Sequence, residues 1–202
     1  MTTPLVMTIG HSNHSVERLV DLLRAHEVTA IGDVRSSPYS RQNPDFNREF
    51  LQHRLKDSGI TYLYLGRELG ARPQDPSLYE KGRVQYRKLS RDTLFREGLR
   101  QVLLVAQSSR LALFCAEREP LACHRSLLIA REITALDLPV THIHADGSLE
   151  THPDAMTRLI LTLRLPENDL FRTRDEIIAD ACTLQEHRIA YVDDHLREES
   201  ST

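Results

Sequence analysis

The side chains best suited to take part in a reaction lie in one segment of the chain, LALFCAEREPLACHR. An apolar run typical of a buried strand ends at Cys115, and Cys123, His124 and Arg125 come directly before an apolar helical pattern. Two thiols, an imidazole, a guanidinium and the carboxylate of Glu117 therefore gather where a strand passes to a helix. Because ligands of open α/β sheets bind at the carboxyl ends of the strands, the segment predicts a functional site. It does not specify a reaction.

Polar residues also follow the other apolar runs. His11 and Ser12 come after the first, Asp33 and Arg35 end the second, and Tyr64 lies at the end of the third. In a parallel sheet these ends share one edge, so residues far apart in sequence are expected to converge there.

The elements that would position these residues alternate between strand and helix. The predicted strands are Leu5–Ile9, Val28–Val34, Ile60–Leu65, Leu111–Cys115 and Val140–Ile143. Helical spacing of apolar residues separates most of them, and Ser15 is a plausible cap of the first helix. The pattern predicts an α/β fold: a mostly parallel sheet of about five strands with helices on both faces.

Two regions depart from this alternation. The segment 66–90 shows no consistent period and is predicted to be irregular and functional or mobile. The apolar spacing from Met156 to Leu163 and from Ile177 to Leu184 predicts helices near the C-terminus. We therefore divide the chain into an α/β domain over 1–150, which carries the site, and a C-terminal helical segment over 151–202 packed on the same domain.

Composition narrows the class of protein. The 202 residues are 40% hydrophobic and 27% charged with a net charge of −3, which does not favour strong nonspecific nucleic-acid binding. No apolar stretch approaches the roughly 20 residues that span a bilayer, and no signal peptide is recognisable, so no membrane association is expected. Three cysteines without a signal favour reduced thiols and a cytoplasmic location. Neither a cofactor nor an oligomeric state is indicated.

Five motifs carry a resemblance to a known family. They are TIGHS at 8–12, DVRSSP at 33–38, LG at 69–70, CAE at 115–117 and CHR at 123–125. Together they resemble domain-of-unknown-function family 488, over roughly the first 145 residues. The resemblance implies a compact α/β domain and adds no established activity. The sequence departs from the expected pattern at Ala71, where a second glycine would follow Gly70.

Each candidate also has a structural interpretation. Cys115 could be a small buried hydrophobe, and Arg125 could pair with Glu117 or Glu119 as scaffolding. Asp33 could brace the turn that follows it. His142, within a strand, is interpreted as structural.

Familiar enzyme motifs are missing from the sequence. No arginine stands six positions after either Cys115 or Cys123, as a phosphatase loop requires, and no dinucleotide or phosphate-binding glycine loop is present. A four-ligand zinc site is not supplied locally, because Cys115, Cys123 and His124 make three ligands at most.

The leading hypothesis is an enzyme of unassigned reaction, a hydrolase or transferase, acting on a small or phosphate-bearing anion such as a nucleotide. Its catalytic candidates are His11, Asp33, Cys115, Glu117, Cys123 and His124. Its substrate-binding candidates are Ser12, Tyr64, Arg35 and Arg125, with Arg41 and Arg72 as further anion-binding candidates. His11 and Asp33 would form the acid/base pair, and a thiol would be the nucleophile or a metal ligand.

Two alternatives remain open. One is a transition-metal site built from Cys115, Cys123, His124 and His11, used in sensing or redox chemistry. The other is a non-catalytic module that binds a ligand or a protein at the same edge of the sheet.

Overall fold

A six-stranded sheet runs through the protein in a computed structural model, which describes residues 5–11, 13–41, 43–167 and 169–199. Among these residues the strands are β1 (Val6–Gly10), β2 (Ala30–Asp33), β3 (Thr61–Tyr64), β4 (Tyr79–Glu80), β5 (Arg83–Val84), β6 (Leu111–Cys115), β7 (Val140–Ile143) and β8 (Leu149–Thr151). Strands β4 and β5 form a separate antiparallel hairpin.

Helices cover the sheet. The α-helices of the described residues are α1 (Val16–Ala25), α2 (Arg48–Asp57), α3 (Gly66–Leu69), α4 (Tyr86–Leu89), α5 (Thr93–Ala106), α6 (Arg131–Thr134), α7 (His152–Thr162), α8 (Arg174–Ile189) and α9 (Asp194–Glu199). A π-helix, Arg125–Ala130, continues directly into α6. None of the helices described is long and apolar enough to cross a membrane.

The strand order is β3-β2-β6-β1-β7-β8, parallel except for β8, which pairs antiparallel with β7. The predicted α/β class is confirmed, and β6 and β7 have the predicted bounds. The sixth strand, β8, was not predicted. It follows a tight turn at Gly147 (φ 96°), and three residues are too few to show an alternating pattern.

Alternate residues of the central strands face two apolar cores. On β6, Ala112 and Phe114 pack in the core beneath α1 and α2, whereas Leu113 and Cys115 belong to the core on the opposite face. Burial on both faces explains the continuous apolar run of this strand. It also places the Cys115 side chain on the face that the π-helix covers.

The segment 66–90 was predicted to be irregular, and this prediction was wrong. It contains α3, the β4–β5 hairpin and α4. The hairpin turns at Lys81 and Gly82, both with positive φ. Helices of four residues and strands of two are too short to produce a recognisable period.

The predicted C-terminal helices are present as α7 and α8. Met156 and Ile160 of α7 and Ile177 of α8 join the core that contains Cys115. Helix α8 begins with a capping box in which Thr173 and Glu176 satisfy each other's backbone N–H groups. The short helix α9, DHLREE, was not predicted because it has no apolar spacing.

A buried chain of polar groups joins β1, β7 and α7. The Thr8 hydroxyl is 2.8 Å from Nδ1 of His142, and Nε2 of His142 is 3.1 Å from Nδ1 of His152. Because both rings are buried, the pKa of His142 is lowered to about 2 and that of His152 to about 4. Both imidazoles are therefore neutral in the folded protein.

We expect this buried series of polar groups to lower the free energy of unfolding as the pH falls. An unfolded histidine ionises near 6.5, so below that pH the unfolded chain binds protons that the folded protein does not bind. Between pH 6.5 and 4, His152 alone corresponds to a loss of about 3 kcal/mol in the free energy of unfolding. Urea unfolding across this range should show a shallower pH slope for His152→Gln than for wild type. The matched control, His53→Gln, changes an exposed ring and measures the effect of removing a histidine as such. Equal slopes for all three proteins would contradict the interpretation.

Candidate functional site

The centre of the site is formed by three adjacent strands, β2, β6 and β1. At their carboxyl ends Asp33 pairs with Phe114 in register, and Gly10 pairs with Cys115. The next backbone N–H, that of His11, donates to the Cys115 carbonyl at 3.0 Å. The structure thus places the first, second and fourth predicted strand ends side by side at one edge of the sheet.

Two thiols, an imidazole and a carboxyl group meet at this edge. The Sγ atoms of Cys115 and Cys123 lie 2.9 and 3.0 Å from the same oxygen, Oε2 of Glu117. Nδ1 of His124 is 3.8 and 3.7 Å from the two sulfurs. We call these four side chains the thiol cluster. Both cysteines and His124 are buried, whereas Glu117 is exposed as a residue, so the thiols and the imidazole lie below the surface of the protein.

The loop between β6 and the π-helix folds so that both thiols face the same point. Glu119 caps a short 3₁₀ turn, Pro120–Ala122, by accepting a hydrogen bond from the Leu121 N–H. Cys123 follows in extended conformation, and its carbonyl accepts the N–H groups of Ser126 and Leu127 at the start of the helix. The turn therefore brings Cys123 back to the end of β6.

Arg125 lies beneath this loop and supports it. Its guanidinium donates to the carbonyl of Glu117 at 2.6 Å and to that of Arg118 at 3.2 Å, and the side chain is fully buried. Sequence reasoning offered either anion binding or ion pairing for Arg125. The structure instead gives it backbone carbonyl partners, and it does not line the cleft.

The ring of His124 is held by a backbone group. Nε2 lies 3.2 Å from the Val34 carbonyl, which follows β2. With the proton on Nε2, this hydrogen bond leaves Nδ1 to face the sulfurs. The Val34 carbonyl was missed by sequence reasoning because a main-chain oxygen has no residue-specific signal.

The cluster groups shift each other's pKa values. The hydrogen bond with Cys123, together with burial, raises the pKa of the Cys115 thiol well above its ordinary value. Burial opposes ionisation of Cys123, but the Cys115 hydrogen bond and the charges of Arg125 and His124 hold its pKa well below the ordinary value. Burial and the Cys123 sulfur raise the pKa of the Glu117 carboxyl. The two neighbouring thiols therefore do not ionise together.

Asp33 is fully buried next to the cluster, and both of its carboxylate oxygens already accept hydrogen bonds. Nε and Nη2 of Arg35 donate to its two oxygens at 2.9 and 2.6 Å, and the Tyr62 hydroxyl donates at 2.7 Å. Burial and the Asp33 charge raise the pKa of Tyr62, so the phenol stays protonated. Sequence reasoning missed Tyr62, which resembles any strand aromatic. Asp33, a predicted acid/base residue, does not line the cleft.

His11 lies outside the thiol cluster. Its ring stacks on Phe46 with a centroid distance of 4.2 Å and an interplanar angle of 17°. It is absent from the group of possible metal ligands, which among the described residues consists of Cys115, Cys123 and His124. The structure therefore brings together three of the four ligands of the metal hypothesis.

A solvent-accessible cleft of about 240 Å³ opens above the cluster. Its lining is Arg35, Ser36, Ser37, Tyr39, Ala71, Arg72, Cys115, Ala116, Glu117 and His124. Tyr64 lines an adjoining cavity of about 390 Å³, which shares Ser36 and Arg72 with the cleft. The predicted substrate-binding residue Ser12 lies outside the described residues.

Fold and site together define an α/β protein with two buried thiols and a buried imidazole beneath a cleft at the carboxyl edge of its sheet. The chain belongs to the family described as Domain of unknown function DUF488, whose model matches residues 15–131, more than half of the chain. The match contains the whole thiol cluster and confirms the family resemblance. Comparison with curated proteins and with solved structures found no match.

We expect Gly10→Ala to disturb the loop that carries the cluster. A Cβ at position 10 would lie 1.8 Å from the Glu117 carbonyl oxygen and 3.1 Å from the Arg125 guanidinium, so the backbone of the loop would have to move. Overpacking of this kind costs about 1–3 kcal/mol. Gly32→Ala on β2 is the matched control, because its methyl would meet only leucine side-chain ends at 3.0 and 3.2 Å. Thermal unfolding should rank Gly10→Ala as the less stable variant, and the reverse order would contradict the close approach.

Proposed function

We propose that the protein is an enzyme, a hydrolase or transferase, that acts on a small or phosphate-bearing anionic substrate in the cleft above the thiol cluster. The observation that carries this proposal is the lining of the cleft. Cys115, Glu117 and His124 are at its floor, and Arg35 and Arg72 are in its wall. Reactive groups and cationic donors thus face the same small volume.

The two arginines differ in how accessible their charge is to a ligand. Arg35 is buried and paired with Asp33, and its guanidinium also donates to the Phe46 carbonyl at 2.9 Å. Arg72 is exposed, lies over the ring of Tyr191 at 4.7 Å, and forms no ion pair with any carboxylate of the described residues. We therefore assign the main contact with an anion to Arg72, with Ser36 and Ser37 as hydroxyl donors nearby.

The size of the cleft limits the substrate. A volume of about 240 Å³ suits a small molecule or one end of a larger one. The adjoining cavity shares Ser36 and Arg72, so a ligand bound at Arg72 could extend into it. A nucleotide, with an anionic group beside a larger body, has this shape.

The floor supplies groups for acid–base and nucleophilic steps. The Glu117 carboxyl lies beside the thiols and lines the cleft, where it can pass a proton to or from a bound substrate. A thiolate beside an imidazole can act as a nucleophile or as a metal ligand. The three buried free cysteines suit a reducing compartment, and we place the enzyme in the cytoplasm, without strong nonspecific nucleic-acid binding.

We expect Arg72→Ala to weaken anion binding without loss of fold. Loss of one charge-assisted hydrogen bond should raise the dissociation constants of inorganic phosphate and adenosine 5′-monophosphate about 10-fold or more. Isothermal titration calorimetry measures both constants. Arg24→Ala removes an exposed arginine at the end of α1, away from the cleft, and should bind both anions like wild type. Equal affinity of Arg72→Ala and wild type would remove the assigned anion contact.

We expect Glu117→Gln to lose turnover while it keeps its fold. Loss of a general acid or base should lower kcat about 100-fold or more against p-nitrophenyl phosphate or its phosphodiester analogue. Glu97→Gln is the control, since Glu97 is an exposed glutamate of α5 that pairs with Arg100 and does not line the cleft. Anion binding without turnover of any phosphate ester, nucleotide or ester in a broad panel would favour the non-catalytic binding module instead.

A further inference from the structure

We propose that Cys115, Cys123 and His124 bind a transition-metal ion at the floor of the cleft. The chemistry of these three ligands favours zinc(II). This inference deepens the proposed function, because it names the cofactor class of the same site. Its main evidence is the geometry of the three side chains, and the cleft adds access from solvent.

The distances between the ligand atoms match a single ion. Tetrahedral zinc with Zn–S near 2.3 Å and Zn–N near 2.0 Å separates a sulfur from a nitrogen by about 3.5 Å. In the structure Nδ1 of His124 is 3.8 and 3.7 Å from the two sulfurs, and the three ligand atoms all lie within 4.8 Å of one another. One ion can therefore reach all three after only small side-chain movements.

The His124 ring is oriented as a metal ligand would be. A ligating histidine usually donates its other ring N–H to a carboxylate or to a backbone carbonyl, which fixes the tautomer. Nε2 of His124 has such a partner in the Val34 carbonyl at 3.2 Å, and Val34 is itself tied to β6 by its N–H bond to the Phe114 carbonyl at 3.0 Å. This second observation is independent of the sulfurs, because it concerns the opposite side of the ring.

The rigidity of the frame is the third argument. Cys115 ends a central strand, while Cys123 and His124 stand between the 3₁₀ turn and the π-helix, whose loop is held by the buried Arg125. A site whose ligands are held before metal arrives pays little ordering entropy on binding. Cys115 and His124 also line the cleft, so an ion bound there would be reachable from solvent.

The donor set selects the metal. Two thiolates and one imidazole suit zinc better than magnesium or calcium, which prefer oxygen. Three protein ligands of this kind, with a fourth position open, are typical of catalytic rather than structural zinc sites. Here the fourth position would lie beside the Glu117 carboxyl and the cleft, where a zinc-bound water could be both activated and deprotonated.

The decisive experiment measures metal binding without any substrate. The full chain, expressed without a histidine tag and stripped with a chelator under reducing conditions, is titrated with zinc chloride in a calorimeter. We expect one zinc per chain with a dissociation constant tighter than about 100 nM. Cobalt(II) added instead should show thiolate-to-metal charge-transfer absorption, which reports sulfur ligands directly.

Variants separate the site from general damage. Cys115→Ser, Cys123→Ser and His124→Ala should each weaken zinc binding about 100-fold or more. Cys182→Ser is the matched control, because Cys182 is an equally buried cysteine that contacts Met156 and is not one of the possible metal ligands among the described residues. It should keep the wild-type zinc stoichiometry and the charge-transfer band. A zinc-induced rise in melting temperature, present in wild type and Cys182→Ser but absent in a folded Cys123→Ser, supports the assignment even if the other variants unfold.

Two results would overturn the metal site. One is folded, reduced wild type that binds neither zinc nor cobalt. The other is Cys182→Ser losing as much zinc affinity as Cys123→Ser. Both results leave the proposed enzyme untouched, because that proposal is tested separately by the phosphate affinity of Arg72→Ala. Conversely, zinc bound by a protein that binds no anion and turns over no ester would remove the proposed enzyme and leave the metal site.

Discussion

The close approach of the Glu117 carbonyl to the backbone of Gly10 is the constraint on which the site depends. No side chain fits between them, since a Cβ at position 10 would be 1.8 Å from that oxygen. The buried guanidinium of Arg125 then holds the same carbonyl at 2.6 Å. Together these contacts press the 116–122 loop onto the end of β1. Only in this position does the loop return Cys123 to the end of β6, beside Cys115.

The arginines of the site fall into two groups, buried and exposed, and the two groups have different partners. Arg125 and Arg35 are buried, and the cost of burying a guanidinium is offset by the hydrogen bonds that its donors make. Arg125 donates through Nη1 and Nη2 to two backbone carbonyls, while its Nε has no partner among the described residues. Arg35 donates to Asp33, so both arginines stabilise the frame of the site. Arg72 is exposed in the wall of the cleft, so its charge is accessible from solvent. In the proposed function, this separation keeps the floor of the cleft fixed while Arg72 binds and releases the anion.

Much of the architecture was predictable from residue patterns, because burial leaves a signature in the sequence. Strand β6 lies between two cores and is apolar at every position, and helix α1 begins where Ser15 caps it. The thiol cluster could also be anticipated as a group, since Cys115 ends a strand and Cys123 precedes a helix. Strand β8 and helix α9 could not be predicted, because elements of three and six residues with one apolar residue each carry no period.

The sequence by itself determined the α/β class, the family and the edge of the sheet where reactive residues collect. The sequence could not assign a role to each residue, because a role depends on the tertiary contacts of its side chain. His11 and Asp33 have the chemistry of an acid/base pair, yet one stacks on Phe46 and the other is saturated by Arg35 and its neighbours. The partner of His124 is a main-chain carbonyl 90 residues away, a contact that only the packing of β2 against β6 creates. Tertiary structure therefore decided which of the candidates form one cluster, since hydrogen bonds and burial are properties of neighbours in space.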